Sequence, residues 1–582
     1  MKTYISNALI VVAFLWIIIN YTYFRVDKLP EAISYNFTPK DTTWKQLSIR
    51  EKIGQTMIVR AFHKSQVEEF GSIENMMKTY PIGGLFIPWW DYLNTPPRNQ
   101  VISTIKKAVL DYENASKYPM IVTEDFERGV GSIYSEFTNM PSEMALGAAN
   151  RTDLAYKFGN AIAKESNVLG INWLLHPLVD LNMNPLQDLV IERAISDDAT
   201  RAYPLLKAQI QGMNAQGVVA TIKHFPGDGA TIKNQHLITS ANNLSVPEWN
   251  ATFGTLYQKM INNGAPCIMV GHIRFPAYQK EKRNGVLLPA SLSEELMVGL
   301  LKKKMKFNGI IMSDALNMGG VAGYYDSEIE TSLAAFKAGV DMVLWPTLKF
   351  MDSLEVRIKR GEIPMSRLDD AVERIWGVRE HYDLLKKKNS IFYTLSDSEK
   401  RTIKKDGQEI ANTAVTLLTD SIKIPLKPSE NKRIAIVNIS HKNRTKELRL
   451  TQNLLQEKGF VVDTILHNPG FLEWEENLKF FDTYDKVLVA FENRYFNPLG
   501  ASLLKDKEAL AVWTMGMLPQ HKIIAVSYSN PYYVNFYFDN AYIGINAYSL
   551  NAFSQKAVVD ALTGAIPFKG TTPVKLDHDV LK

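Results

Sequence analysis

Eight short apolar runs between residues 55 and 345 constrain this chain more than any other feature. They read QTMIV (55–59), GGLFI (83–87), PMIVT (119–123), INWLL (171–175), GVVATI (217–222), APCIMV (265–270), GIIMS (309–313) and VDMVLW (340–345). None alternates apolar with polar residues, which is the pattern of parallel strands covered on both faces. Amphipathic stretches such as LSEELMVGLLKKKM and IETSLAAFKAGV lie between them and read as helices. Eight strand–helix units in this order predict an α/β fold, a (β/α)8 TIM barrel with several long loops.

At 582 residues the chain exceeds one ordinary core. Past residue 385 the pattern changes. The polar stretch KKKNSIFYTLSDSEKRTIKKDG reads as a linker running into a helix, and four further apolar strands follow: RIAIVNI, VVDTIL, KVLVAF and KIIAVSY. They predict a second, smaller α/β domain with an open parallel sheet, an αβα sandwich. The expected organisation is a barrel over 45–385, a linker and helix over 386–410, and a C-terminal domain over 411–582. No G-x-G-x-x-G or phosphate-loop pattern accompanies the second sheet, so no nucleotide site is expected.

The N-terminus is of another kind. ALIVVAFLWIII (8–19) follows Lys2 and continues through NYTYF to Arg25. With that extension it approaches the ~20 residues a bilayer span requires, and no small-x-small cleavage site follows. Residues 1–25 therefore predict an uncleaved signal-anchor, a membrane as partner, and export to the cell envelope or periplasm. Charge is nearly balanced, with 66 basic and 61 acidic residues and a net charge of +5. The basic residues are scattered, which argues against nucleic acid as a partner. The lone Cys267 excludes an intrachain disulfide framework or a cysteine-rich metal site, and inside APCIMV it reads as a buried hydrophobe.

A barrel carries its chemistry at the carboxyl ends of its strands. Arg60 follows the first run; Trp89, Trp90 and Asp91 the second; Glu124 and Asp125 the third. His176 and Asp180 follow the fourth, Lys223 and His224 the fifth, His272 the sixth and Asp314 the seventh. One polar residue at a strand end means little, since strand ends meet water. Seven consecutive ends predict a polar cleft.

Six motifs then occur in order: LSIREKIGQTMIV, PMIVTEDFERGVGSIYSEFTNMPS, GINWLLHPLVDLNMNP with VIERAISDD, KHFPGDG ahead of His236, LLPASLS, and GIIMSDALNMGG. The ordered set resembles the family 3 glycoside hydrolases, in particular their two-domain β-N-acetylhexosaminidase (β-N-acetylglucosaminidase) branch. The resemblance covers residues 47 to about 350 and continues more weakly into NAYSLNAFSQKAVVDALTGAIPFKGTTPVKL. It implies a retaining exo-glycosidase that removes terminal β-linked N-acetylglucosamine, with peptidoglycan fragments as an expected source. It also implies a carbohydrate substrate and no cofactor; no metal-ligand spacing such as H-E-x-x-H occurs.

On this resemblance Asp314 is the nucleophile and His236 the acid/base, standing where most glycosidases use a carboxylic acid. The branch carries Asp-Ser-His at that point, and this chain carries Asn234-Gln235-His236. A neutral amide orients an imidazole but does not stabilise its cation, so a lowered pKa is expected at His236. Asp228, which stands where the branch usually has His, and Asp180 are the expected sources of the missing charge. Asp125, Arg193, Lys223, His224 and His272 are the implied substrate-binding residues. In DFERG, Phe126 and Arg128 depart from the usual Asp-Gln-Glu-Gly-Gly, and a glycine-hinged loop after Ile222 is expected to swing His236 over the glycosidic oxygen. The alternatives are a family β-glucosidase with its acid on the second domain (Glu492), a glycoside phosphorylase, since a neutral histidine repels phosphate less than a carboxylate does, and a catalytically impaired sugar-binding homologue.

Overall fold

The computed structural model describes residues 28–94, 96–386, 391–419, 423–470, 474–492 and 503–576. The predicted anchor, residues 1–25, lies outside the described residues. Among those described, no helix is long and apolar enough to cross a membrane.

All eight runs are strands: β1 (Met57–Arg60), β2 (Gly84–Phe86), β3 (Ile121–Glu124), β4 (Trp173–Leu174), β5 (Val219–Phe225), β6 (Cys267–Val270), β7 (Ile310–Ser313) and β8 (Val343–Leu344). Each pairs in parallel with its predecessor from β2 to β7. β8 pairs with β1 through Met57↔Val343 and Ile58↔Leu344, and a bridge between Met312 and Met342 closes the ring.

The pleat explains why these runs are apolar throughout. Ile58, Phe86, Ile121, Trp173, Val219, Cys267, Met269, Ile310, Met312 and Leu344 pack together in the barrel lumen. Their strand neighbours, among them Val59, Leu85, Val122, Ala220, Ile268, Ile311 and Val343, pack against the outer layer. Cys267 is fully enclosed in the lumen, and burial pushes its thiol well above the usual range, so it stays protonated.

The same alternation continues past the apolar part of three strands. Ile310 and Met312 point inward, and the period of two brings Asp314 inward next. Val219 and Thr221 lead in the same way to Lys223, and Ile121 and Thr123 to Asp125. Strand geometry thus delivers three ionisable side chains to the carboxyl-end mouth.

Helix starts follow local rules. Ser48 and Glu51 form a capping box before Ile49–Gln55, and Ser396 and Glu399 form another before Asp397–Ala414, in the stretch read as linker into helix. The second sheet holds β9 (Thr416–Leu417), β10 (Arg433–Ile439), β11 (Val461–His467), β12 (Lys486–Phe491), β13 (Ile523–Ser527) and β14 (Ile543–Asn546). Their order is β9-β14-β13-β12-β10-β11, parallel except for the antiparallel β9. Four of the six match the predicted strands. β9 is too short to carry a pattern, and in β14 glycine and asparagine interrupt the apolar run.

The chain end ties the two parts together. Arg201 donates from Nε and Nη2 to the Gly147 carbonyl at 3.0 and 2.7 Å, and from Nη1 to the Thr572 carbonyl at 2.8 Å. The Ser196 hydroxyl donates to the Pro573 carbonyl at 2.6 Å, and the Thr571 N–H to the Ala148 carbonyl at 3.0 Å. Residues 570–576 therefore form a strap laid along the loop that follows β4.

Candidate active site

A cavity of ≈ 690 Å³ opens at the carboxyl ends of the barrel strands, lined among others by Asp125, Glu127, Arg193, Lys223, His224, His236 and Asp314. Asp314 follows β7 directly. Its backbone N–H donates to the Val270 carbonyl at 3.0 Å, and Oδ1 accepts the Ala315 N–H at 2.8 Å. Oδ2 lies 3.9 Å from His224 Nε2. Burial alone would raise the pKa of this carboxyl, but His224, His272, His236 and the Ala315 N–H bring it below the ordinary value. At neutral pH the His236 ring is uncharged and adds little to that pull: burial pushes it down to about 4, against the attraction of Asp314.

Lys223 and His224 are consecutive yet both line the cavity, because the pairing of β5 with β6 shifts register between Ile222 and Phe225. The Lys223 ammonium sits 2.6 Å from Asp125 and 3.0 Å from Glu127. Arg193 forks onto Glu127, with both donors at 2.8 Å. Burial works against the charges of Glu127, Arg193 and Lys223. Arg193 and Lys223 nonetheless hold Glu127 well below its ordinary value, and Asp125 and Glu127 hold Lys223 above its own. Such a mutually compensated network is rigid, and leaves Asp125, the most exposed member, facing the cavity.

The loop carrying His236 is docked rather than swung out. Its carbonyl accepts the Gly319 N–H at 2.9 Å, Thr239 Oγ1 donates to the Gly320 carbonyl at 2.8 Å, and Gln235 Oε1 accepts the His272 N–H at 2.7 Å. Asn234 Oδ1 accepts the His236 N–H at 3.1 Å and stands 3.1 Å from ring Nδ1. On its other side the Asn234 amide donates to Asp188 Oδ1 at 3.3 Å.

Several sequence expectations change. His272 lies outside the cavity lining: Nδ1 faces the Ser291 hydroxyl at 2.8 Å and Nε2 the Ala315 carbonyl at 2.9 Å, so the ring props the turn after Asp314. Asp180 accepts the His224 N–H at 3.1 Å, faces His224 Nδ1 at 2.7 Å and takes the Asp228 N–H at 2.7 Å. It serves His224 and not His236. Asp228 sits beside Asp180 and donates its backbone N–H to it; burial first and that neighbour second push its carboxyl up to about 7, which weakens it as a source of charge for His236. His176 is buried against Gln209 and Glu143, each at 3.1 Å, and does not line the cavity. Trp89 is at the rim, whereas Trp90 packs on Phe86 and Trp345 at 5.9 and 5.5 Å between ring centres.

Sequence reasoning passed over Glu127, Asp188, Trp345 and Lys442. Glu127 lies in the turn after β3, where the positive φ of Phe126 ends the alternation, so strand parity does not flag it. Asp188 and Lys442 join the site only through tertiary contact and left no local signal. Among the described residues, Lys442 is the second domain's contribution to the lining, while Glu492 is paired with Arg444 at 2.9 Å, away from it.

A parallel barrel whose mouth holds a carboxylate and an imidazole around a sugar-sized cavity is an enzyme cleft suited to glycoside hydrolysis. More specifically, residues 48–378 match the model of the glycosyl hydrolase family 3 N-terminal domain, and the chain belongs to that family. It is 26% identical over 559 residues to a beta-N-acetylglucosaminidase/beta-glucosidase of Cellulomonas fimi, covering 92% of this chain and 94% of that one. A solved beta-glucoside phosphorylase, BglX, superposes with a TM-score of 0.78 at 28% identity, over 92% of this chain and 95% of that chain. A family 3 beta-N-acetylglucosaminidase from Paenibacillus shares the fold, with a TM-score of 0.75 at 22% identity over 91% and 99% of the two chains.

Proposed function

We propose that this glycosidase cleaves terminal β-linked N-acetylglucosamine with retention, and that Asp314 and His236 carry the reaction. The observation that supports it is their joint presence in one cavity, the carboxylate on its floor and the imidazole on a docked loop beside it. Asp314 attacks the anomeric carbon and forms an ester bond, while protonated His236 gives its proton to the departing glycosidic oxygen. Neutral His236 then takes a proton from water as the water oxygen attacks the same carbon and releases Asp314. Asp125 accepts hydrogen bonds from sugar hydroxyls, fixed by Lys223 and the Glu127–Arg193 pair. An exported, membrane-anchored chain would meet peptidoglycan fragments, and we take these as the natural source of substrate.

A second reading is phosphorolysis, in which phosphate replaces water at the glycosyl-enzyme and a sugar 1-phosphate leaves. Arg128 and Lys442, two cations in the lining, favour an anionic acceptor, as does the resemblance to BglX. The β-glucosidase with an acid on Glu492 draws no support, given the Arg444 pairing.

One set of assays decides among these. Nitrophenyl β-N-acetylglucosaminide and β-glucoside are compared with and without phosphate, in wild type and Asp314→Asn. The proposal expects the glucosaminide to be preferred, turnover independent of phosphate, and a loss of about 10³-fold or more in Asp314→Asn. Phosphate-dependent release of a sugar 1-phosphate selects the second reading, and undiminished turnover by Asp314→Asn removes both.

A further inference from the structure

The acid/base loop departs from its branch at Asn234, and the structure supplies what stands behind that departure. Asn234 is fully buried. Its amide is fixed from two sides: the NH2 group donates to Asp188 Oδ1 at 3.3 Å, while the His236 N–H donates to the amide oxygen at 3.1 Å. An amide oxygen so placed meets ring Nδ1 at 3.1 Å only if that nitrogen carries hydrogen. The neutral ring then keeps its lone pair on Nε2.

We propose that Asp188, on the loop after β4, is the remote carboxylate of His236: acting through the Asn234 amide it sets the ring's tautomer and polarises the amide oxygen toward the imidazolium. Asp188 is a positioning residue, since it does not line the cavity. A charge relayed through a neutral group stabilises the cation less than direct contact would. Burial is the first cause of the low pKa of His236, and a carboxylate held at one remove does little to offset it. Among the groups that also bear on the ring are Asp314 after β7, Arg193 on the β4 loop, His224 at the end of β5 and His272 after β6. Nδ1 is the ring atom that faces Asn234.

The inference rests on His236 being the acid/base, and the test keeps the two apart. The ring nitrogen shifts and titration midpoint of His236 are read by NMR in wild type, Asp188→Asn and the swap Asp188→Asn/Asn234→Asp. Turnover is read with a sugar and with a dinitrophenol leaving group. In the swap the carboxylate moves into contact with the ring, and the amide now standing on the β4 loop donates to it. Asp188→Asn is expected to lower the midpoint and to lose about 10- to 100-fold in kcat/KM on the sugar leaving group only, within the ~10²–10⁴-fold that general acid–base catalysis contributes. The swap is expected to raise the midpoint above wild type and restore that activity. Melting curves confirm that each variant folds. A wild-type midpoint in Asp188→Asn, or a swap midpoint at or below wild type, overturns the proposal whatever His236 does in catalysis. If instead His236→Gln leaves the sugar leaving group unaffected, the acid/base assignment fails and the proposal fails with it.

Discussion

At the scale of residues, the site is a set of charges whose protonation is decided by burial and then corrected by partners. His236, pushed down to about 4 by burial, has to be protonated to act as an acid. For a sugar leaving group, kcat/KM should therefore fall about tenfold per pH unit as pH rises above the His236 midpoint. A dinitrophenyl glycoside needs no proton and should give a flat profile from about pH 5 to 8, so parallel profiles for the two substrates would refute the assignment. Asp228 gives a stability test. Folded, its carboxyl keeps its proton up to about 7; unfolded, it loses it near the ordinary 3.8. Wild type thus loses stability as pH rises through that window, by up to about 4 kcal/mol. Asp228→Asn removes the loss, so its stability gain over wild type should be larger in melts at pH 8 than at pH 5. Asp314 and His236 were legible in the sequence because each stands in a local motif. Asp188 was not, because its contact with Asn234 spans two loops that only the barrel brings together.

At the scale of elements, strand parity did most of the positioning. The apolar runs announced the strands, and counting by twos from Ile310 or Val219 reaches Asp314 or Lys223 without further information. What parity cannot reveal is how loops seat on one another, and the docked His236 loop shows it. A Cβ on Gly320 would lie 2.3 Å from the Gln235 carbonyl oxygen, a backbone atom with no rotamer to retreat into. Gly320→Ala should push the 234–238 segment off the turn after Asp314. The expected cost is about 1–3 kcal/mol in stability, with kcat falling by about 10²-fold for a sugar leaving group. KM should change little, because Asp125, Lys223 and Arg193 stand on other elements. Equal losses in kcat and in affinity would contradict this.

At the scale of the whole molecule, the second domain is part of the barrel's support. Its four patterned strands could be read from sequence; the strap of residues 570–576 could not, because it is held largely through its own backbone carbonyls at Thr572 and Pro573, which no residue type announces. The strap lies on the loop that bears Arg193 and Asp188. Arg201→Ala removes charge-assisted hydrogen bonds to Gly147 and Thr572, each worth about 1.5–3 kcal/mol. The variant should melt earlier and show a raised KM, measured by calorimetry and initial rates. Removal of residues 570–582 should do the same more severely; an unchanged KM in both would show that the loop holds its shape unaided. Lys442 carries a last consequence. On the proposed reading the sugar ring is gripped at strand ends that the barrel core cannot easily surrender, whereas among the described residues the second domain reaches the cleft through Lys442, on an exposed turn. Descendants of this gene could therefore trade one acceptor for another by editing that turn alone, leaving the inherited preference for the glycone intact.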